Sequence, residues 1–164
     1  MTCRLPTMRP LLIALFILLA MPAAAQADNG YANARFGYSI SVPDGFVVTD
    51  ESDNGGGRSF YKAQGAQGLL VWGANMQEDF ESEVAAAQDY AMAENGLKLT
   101  YTASTPRWAS FSGTSGSGLI YQRMVLLCDG TSYAAFRIQY SQTDIAAMNA
   151  TIDRLVQSLK PNAC

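Results

Sequence analysis

The sequence predicts an α+β domain, a mainly antiparallel sheet covered by helices on both faces. Three observations predict it. Short β-rich runs with period-two alternation recur along the chain. Only two stretches, after Asp79 and after Thr143, place apolar residues at helical spacing. The longest β-rich stretch, "LIYQRMVLLCDGTSYAAFRIQYS" at 119–141, is apolar on both alternating faces, so both need cover.

The N-terminus stands apart from that domain. Arg4 and Arg9 precede the apolar run Leu11–Met21, and the small residues Ala23-Ala24-Ala25-Gln26-Ala27 follow. Basic, apolar, then A-x-A is the layout of a secretory signal peptide, with cleavage after Ala25 or after Ala27. The run is short for a membrane span of about 20 apolar residues. Removing 27 of the 164 residues leaves 137 for a single domain, 28–164. The expected location is a bacterial periplasm, with secretion as the alternative and no membrane insertion after cleavage. Loss of Arg4 and Arg9 takes the formal charge from −3 to −5. No Lys/Arg cluster survives, which argues against nucleic acid as a partner.

Along the domain, Phe36, Tyr38, Ile40 and Val42 alternate with Gly37, Ser39 and Ser41 as one strand. Pro43-Asp44-Gly45 is turn chemistry, and Phe46-Val47-Val48 begins the return. A polar loop spans Asp50 to Gly57. Strands follow at Arg58–Lys62 and Leu69–Ala74, joined near Gly65 and Gly68. Leu69-Leu70-Val71-Trp72 is apolar on both sides and reads as central. Phe80, Val84, Ala87 and Ala91 form one helical face behind Asp79, Glu81 and Glu83, with Asn95-Gly96 as the C-cap. Short strands come next, around Leu97–Ser104 and Trp108–Thr114, followed by a flexible Ser/Gly loop, Ser112–Gly118.

Asp129-Gly130 then makes a hairpin turn. With Cys128 opposite Thr131, one face carries Leu119, Tyr121, Arg123, Val125, Ala134, Phe136, Ile138 and Tyr140. The other carries Ile120, Met124, Leu126, Cys128 and Tyr133. Ile145, Met148, Ile152, Leu155, Val156 and Leu159 form the buried stripe of the last helix, which Pro161 ends.

Two cysteines remain after the signal with its Cys3, and in an oxidising compartment Cys128 and Cys164 have one pairing. A ten-residue strand runs roughly 33 Å from the hairpin turn. A sixteen-residue helix returns roughly 24 Å. The tail covers the remainder, so the disulfide is reachable.

The run "FGYSISVPDGF" at 36–46 resembles the opening of the PsbP-like fold. That group includes the PsbP extrinsic subunits of photosystem II, the Ran-binding protein Mog and the bacterial envelope family DcrB. The resemblance spans residues 31 to 160. It implies strands, a helix after the "LLVWGANM" strand, a meander and a terminal helix. It also implies an accessory or partner-binding role without a shared catalytic site, and it carries over no functional residue.

Catalytic constellations fail one by one. The chain has no histidine, which removes Ser-His-Asp and Cys-His catalysis and most zinc sites. Ser59-Phe60-Tyr61-Lys62 matches S-x-x-K, but in a strand Ser59 and Lys62 point to opposite faces. Asp50-x-Ser52-x-Asn54-Gly55 imitates half a calcium loop, yet the twelfth position is Tyr61 and not a bidentate Glu. Gly55-Gly56-Gly57 lacks the Lys-Ser/Thr of a phosphate loop and reads as a mobile hairpin tip. Glu78, Asp79, Glu81 and Glu83 suit a helix start. Trp72 reads as core, and Trp108 as a more exposed contact. The scattered Met76, Met92, Met124 and Met148 read as core filler.

The expected function is therefore a non-catalytic periplasmic accessory domain that binds another envelope protein, with no cofactor and no metal. Its candidate partner surface is Asp50, Glu51, Asp53, Arg58, Arg107 and Trp108, the Asp50–Arg58 and Ser112–Gly118 loops acting together with Trp108. The alternatives are an inhibitor or immunity protein whose acidic loop blocks a secreted enzyme, and a carboxylate-dependent hydrolase.

Overall fold

The computed structural model describes Met1 and residues 29–64, 66–162 and 164. The signal segment 1–27, with its cleavage points after Ala25 and Ala27, lies outside the described residues apart from Met1. Two sheets and two α-helices follow in the order β1 (Asn29–Asn33), β2 (Tyr38–Val42), β3 (Val47–Glu51), β4 (Gly57–Lys62), β5 (Gln67–Asn75), α1 (Phe80–Asn95), β6 (Lys98–Thr105), β7 (Trp108–Ser115), β8 (Gly118–Leu126), β9 (Ser132–Ser141), α2 (Ile145–Ser158) and β10 (Lys160–Pro161). The small sheet is ordered β1-β2-β10 and the large one β3-β4-β5-β9-β8-β7-β6. Every neighbouring pair is antiparallel. Among the described residues no helix is long and apolar enough to cross a membrane.

The opening motif does structural work. Tyr38, Ile40 and Val42 are buried while Ser39 and Ser41 are half-buried, as the alternation requires. Gly45 takes φ +85°, the turn conformation that its lack of a Cβ permits. The Phe36 ring lies over Gly73 of β5, where a Cβ would stand 2.6 Å from the ring. Two features depart from expectation. Strand β1 pairs with β2 but offers only Tyr31 and Asn33 inward, too few for an alternation signal. And the segment after the turn does not return along β2, because β3 joins the large sheet as its edge.

The hairpin register agrees with the sequence reading: Leu126 pairs with Tyr133 and Gly118 with Ser141, the same register that sets Cys128 against Thr131 when counted on into the turn. The connection is longer than two residues, since β8 stops at Leu126 and β9 starts at Ser132. Asp129 closes it, its carboxylate accepting from the backbone N–H groups of Thr131 and Ser132. The Ser112–Gly118 loop, in contrast, is mostly strand: β7 runs to Ser115 and β8 begins at Gly118.

Alternate residues of β9 enter different cores. Ala134, Phe136, Ile138 and Tyr140 pack with the small sheet and with Met148 and Leu155 of α2. Ala135 joins Phe111, Ile120 and Met124 beneath Phe80, Val84 and Ala91 of α1. The fold is thus α+β with a mainly antiparallel sheet. Residues of α2 cluster in one core with the three-stranded sheet, and residues of α1 in the other. The α1 side leaves Val47, Tyr61 and Leu70 exposed. Ile145, placed on the buried stripe of α2, is exposed as well. Met92, read as core filler, is also exposed, whereas Met124 and Met148 are buried.

At the end of the chain, Lys160 pairs with Ser39 and Pro161 with Tyr38, and the N–H of Asn162 donates to the carbonyl of Gly37. The tail then reaches the β8–β9 turn, where Cys128 and Cys164 form a disulfide with Cα atoms 5.1 Å apart.

Candidate functional site

The six residues of the expected surface fall on two opposite flanks. Asp50 and Glu51 lie on β3, Asp53 in the following turn, and Arg58 on β4. Arg58 pairs with Glu51 at 2.9 Å, and its guanidinium lies 5.0 Å from the centre of the Tyr31 ring. Arg107 and Trp108 sit at the β6–β7 turn, and β5, β9 and β8 stand between β4 and β7. At about 4.8 Å per strand, Arg58 and Trp108 are roughly 19 Å apart across the sheet, and the β3 residues lie one strand further. Trp108 is half-buried, with the Arg123 guanidinium 4.2 Å from its ring centre.

The β3 flank is open along its whole length: all five residues are exposed, Val47 at 62% and Val48 at 54%. Its turn is held, contrary to the expected mobile tip. Asn33 donates to the carbonyl of Gly55, Arg35 to that of Asn54, and the N–H of Gly73 to the carbonyl of Gly56. The oxygens resembling calcium ligands serve the turn itself: Ser52 accepts from Gly57 N–H and Asn54 from Gly56 N–H. Ser59 and Lys62 lie on β4. Asp79 caps α1 by accepting from Ser82 N–H at 2.8 Å, and that hydrogen bond holds its carboxyl below the usual range.

A second feature lies between α1 and strands β5, β8 and β9. A pocket of about 370 Å³ is lined there by Leu70, Trp72, Tyr90, Gln122, Tyr133 and Arg137, among others. Arg137 donates from Nε to Gln122 Oε1 at 2.8 Å, which fixes the orientation of the amide. Gln122 is only 1% exposed, and its Nε2 has no acceptor among the described residues. Leaving a buried donor unpaired costs about 1–3 kcal/mol. Arg137 forms no ion pair among the described residues, and burial pulls its guanidinium down from its ordinary value. The Tyr90 ring centre is 5.9 Å from that guanidinium. Burial pushes the Tyr133 phenol up, with the Trp72 indole acting in the opposite direction.

No family model matches the chain, and no curated protein does. Solved structures do. The chain is similar to the solution structure of cyanobacterial PsbP (CyanoP) from Synechocystis sp. PCC 6803, at 10% identity and a TM-score of 0.63, covering 87% of this chain and 97% of that one. The fold is PsbP-like. The Saccharomyces cerevisiae Ran-binding protein Mog1p is also similar, at 9% identity and a TM-score of 0.56, covering 82% of this chain and 95% of that one. LpqN, involved in cell envelope biogenesis of Mycobacterium tuberculosis, gives a TM-score of 0.46 at 10% identity, covering 84% of this chain and 88% of that one. These identities speak for the PsbP-like fold alone.

Within the PsbP-like fold, sequence reasoning missed the pocket residues. A signal for two of them was present. The register set by Cys128 opposite Thr131 places Gln122 opposite Arg137, two polar residues facing each other on interior strands. Tyr90 and Leu70 carried no such signal, because their proximity depends on where α1 docks.

Proposed function

We propose that the chain is an exported, non-catalytic accessory domain that binds another protein of the bacterial envelope. Residues 1–27 supply the export signal, cut after Ala25 or Ala27, and the disulfide suits an oxidising periplasm. The two helices are taken to cover opposite faces of the sheet, a reading supported by the division of β9 side chains between two cores.

One observation carries the binding reading: the unpaired β3 flank, with exposed Val47 and Val48 followed by Asp50, Glu51 and Asp53. An edge strand with unused backbone groups is a template for strand addition, and acids beside it select a partner segment flanked by basic residues. The Ran-binding protein of the same fold is a protein-binding precedent. Arg107 and Trp108, on the far flank, form a second contact available only to a large partner.

The test places a photo-crosslinking residue at Val48 or at Arg107 in the exported protein. The expected result is one resident envelope protein captured from Val48, and loss of that capture in the Val47→Lys/Asp50→Lys background. Capture of a secreted lytic enzyme replaces the accessory reading with the inhibitor reading. Capture that ignores the β3 substitutions, or none at either position, overturns the β3 assignment.

A further inference from the structure

We propose that the pocket beneath α1 binds a small monocarboxylate with an apolar body. The site presents two fixed donors, Arg137 and Gln122, beside the Tyr133 hydroxyl and the Glu83 carboxylate. Arg137 spends Nε on Gln122, which leaves its two terminal nitrogens as a planar fork of the kind that meets a carboxylate in two parallel bonds. Gln122 is the second donor. Because its Oε1 must face Arg137, its Nε2 is fixed, buried and without an acceptor among the described residues. A carboxylate oxygen supplies what both groups lack.

The walls set the rest of the ligand. Leu70, Trp72, Ala87 and Tyr90 make the lining largely apolar, and about 370 Å³ falls within the ordinary range for small-molecule sites. Glu83 also lines the pocket, its carboxylate held by the backbone N–H of Gln77. A fixed negative charge at the rim disfavours a doubly charged phosphate ester more than a monoanion. The site is separate from the β3 edge, so this proposal stands or falls independently of the protein-partner reading.

The probe is 3-phenylpropionate, titrated into the mature chain and followed by two-dimensional NMR. The expected result is a shift of the Gln122 side-chain amide and the Trp72 indole N–H, while the Trp108 indole on the opposite face stays unmoved. The neutral amide of the same acid binds about tenfold or more weakly. Arg137→Gln lowers affinity by a similar factor, whereas Arg123→Gln leaves it unchanged. If Arg137→Gln fails to fold, Ala87→Leu, which fills the pocket from α1, decides by abolishing the shifts. Equal affinity for acid and amide, tighter binding of phenyl phosphate, shifts centred on Trp108, or no shift up to about 10 mM each overturn the proposal.

Discussion

Arg123 and Arg137 occupy neighbouring strands one residue pair apart, for Arg123 pairs with Phe136 and Gln122 with Arg137. They point to opposite faces. Burial draws both guanidinium groups below their ordinary value, and neither forms an ion pair among the described residues. Their surroundings differ. Arg123 lies under the Trp108 ring, donates to the buried Ser110, and shares its face with the Tyr121–Phe136 stack at 5.9 Å. Its charged end helps to close a packed core. Arg137 meets a partly covered face, beside the exposed Tyr90 and Leu70. The same residue type serves as filling on one face and as a Gln122-bound guanidinium beside a pocket on the other, and what separates them is the cover laid over each face.

The largest test of that contrast is core truncation. Phe136→Ala, on the packed face, is expected to lose about 3–5 kcal/mol. Leu70→Ala, on the open one, should lose under about 1 kcal/mol. Denaturant midpoints measure both, and similar losses would erase the distinction between the faces.

Replacing Cys128 and Cys164 together by Ser comes next. The 36-residue separation gives about 3–4 kcal/mol in the chain-entropy account. The circular-dichroism spectrum should be retained while the melting temperature falls by about 10 °C or more. Hydrogen exchange should quicken first in β2, β10 and α2, the elements on the packed face, and later in α1. Uniform acceleration would mean that the bond serves both faces alike.

Smaller effects separate the arginines themselves. Arg137→Met strands Gln122 Oε1 as well as Nε2 and should cost about 1–2 kcal/mol. Arg123→Met removes a desolvated charge and an Nε that lacks a partner, and keeps a long apolar stem against Trp108. It is expected to be neutral or slightly stabilising. Thermal melts of the pair decide, and a larger loss at Arg123 would reverse the assignment of roles.

Asp129 provides a control common to both faces, since its turn joins β8 to β9. The Ser132 hydroxyl first, then the Thr131 N–H, hold its carboxyl below the usual range. A depressed carboxylate stabilises the fold above the ordinary carboxylate range, and that contribution is lost as pH falls through the lowered folded value. Asp129→Asn should therefore lower stability at neutral pH, by an amount that solvent screening at this exposed turn keeps small, with the difference from the parent closing on acidification. A difference that persists at low pH would assign the turn's stability to shape and not to charge.

The register was legible in the sequence because Asp129-Gly130 and the alternation on either side constrain each other. The division of Leu119, Tyr121 and Val125 from Ile120, Met124 and Leu126 into two cores follows from it. The destination of β3 was hidden, since Pro43-Asp44-Gly45 marks a turn without saying which sheet receives the next strand. The serines and glycines of 112–118 suggested flexibility. Gly113 is there for another reason: a Cβ would stand 2.2 Å from the carbonyl oxygen of Lys98 on the adjacent strand. Of the candidate surface, composition identified Asp50, Glu51 and Asp53, but only the strand order separates them from Arg107 and Trp108. The pocket needed the docking of α1 on β5 and β9, a long-range arrangement that local spacing does not encode.

The placement of Cys164 also makes assembly a matter of timing. On the export proposed above, Cys128 leaves the cytoplasm while 36 more residues are still in transit. Throughout that interval Cys128 is a thiol without its mate, exposed to exchange with whatever other thiols or disulfides are at hand. β10, the strand that zips onto β2, arrives in the same last step. A chain halted before Cys164 emerges should therefore accumulate mixed disulfides through Cys128.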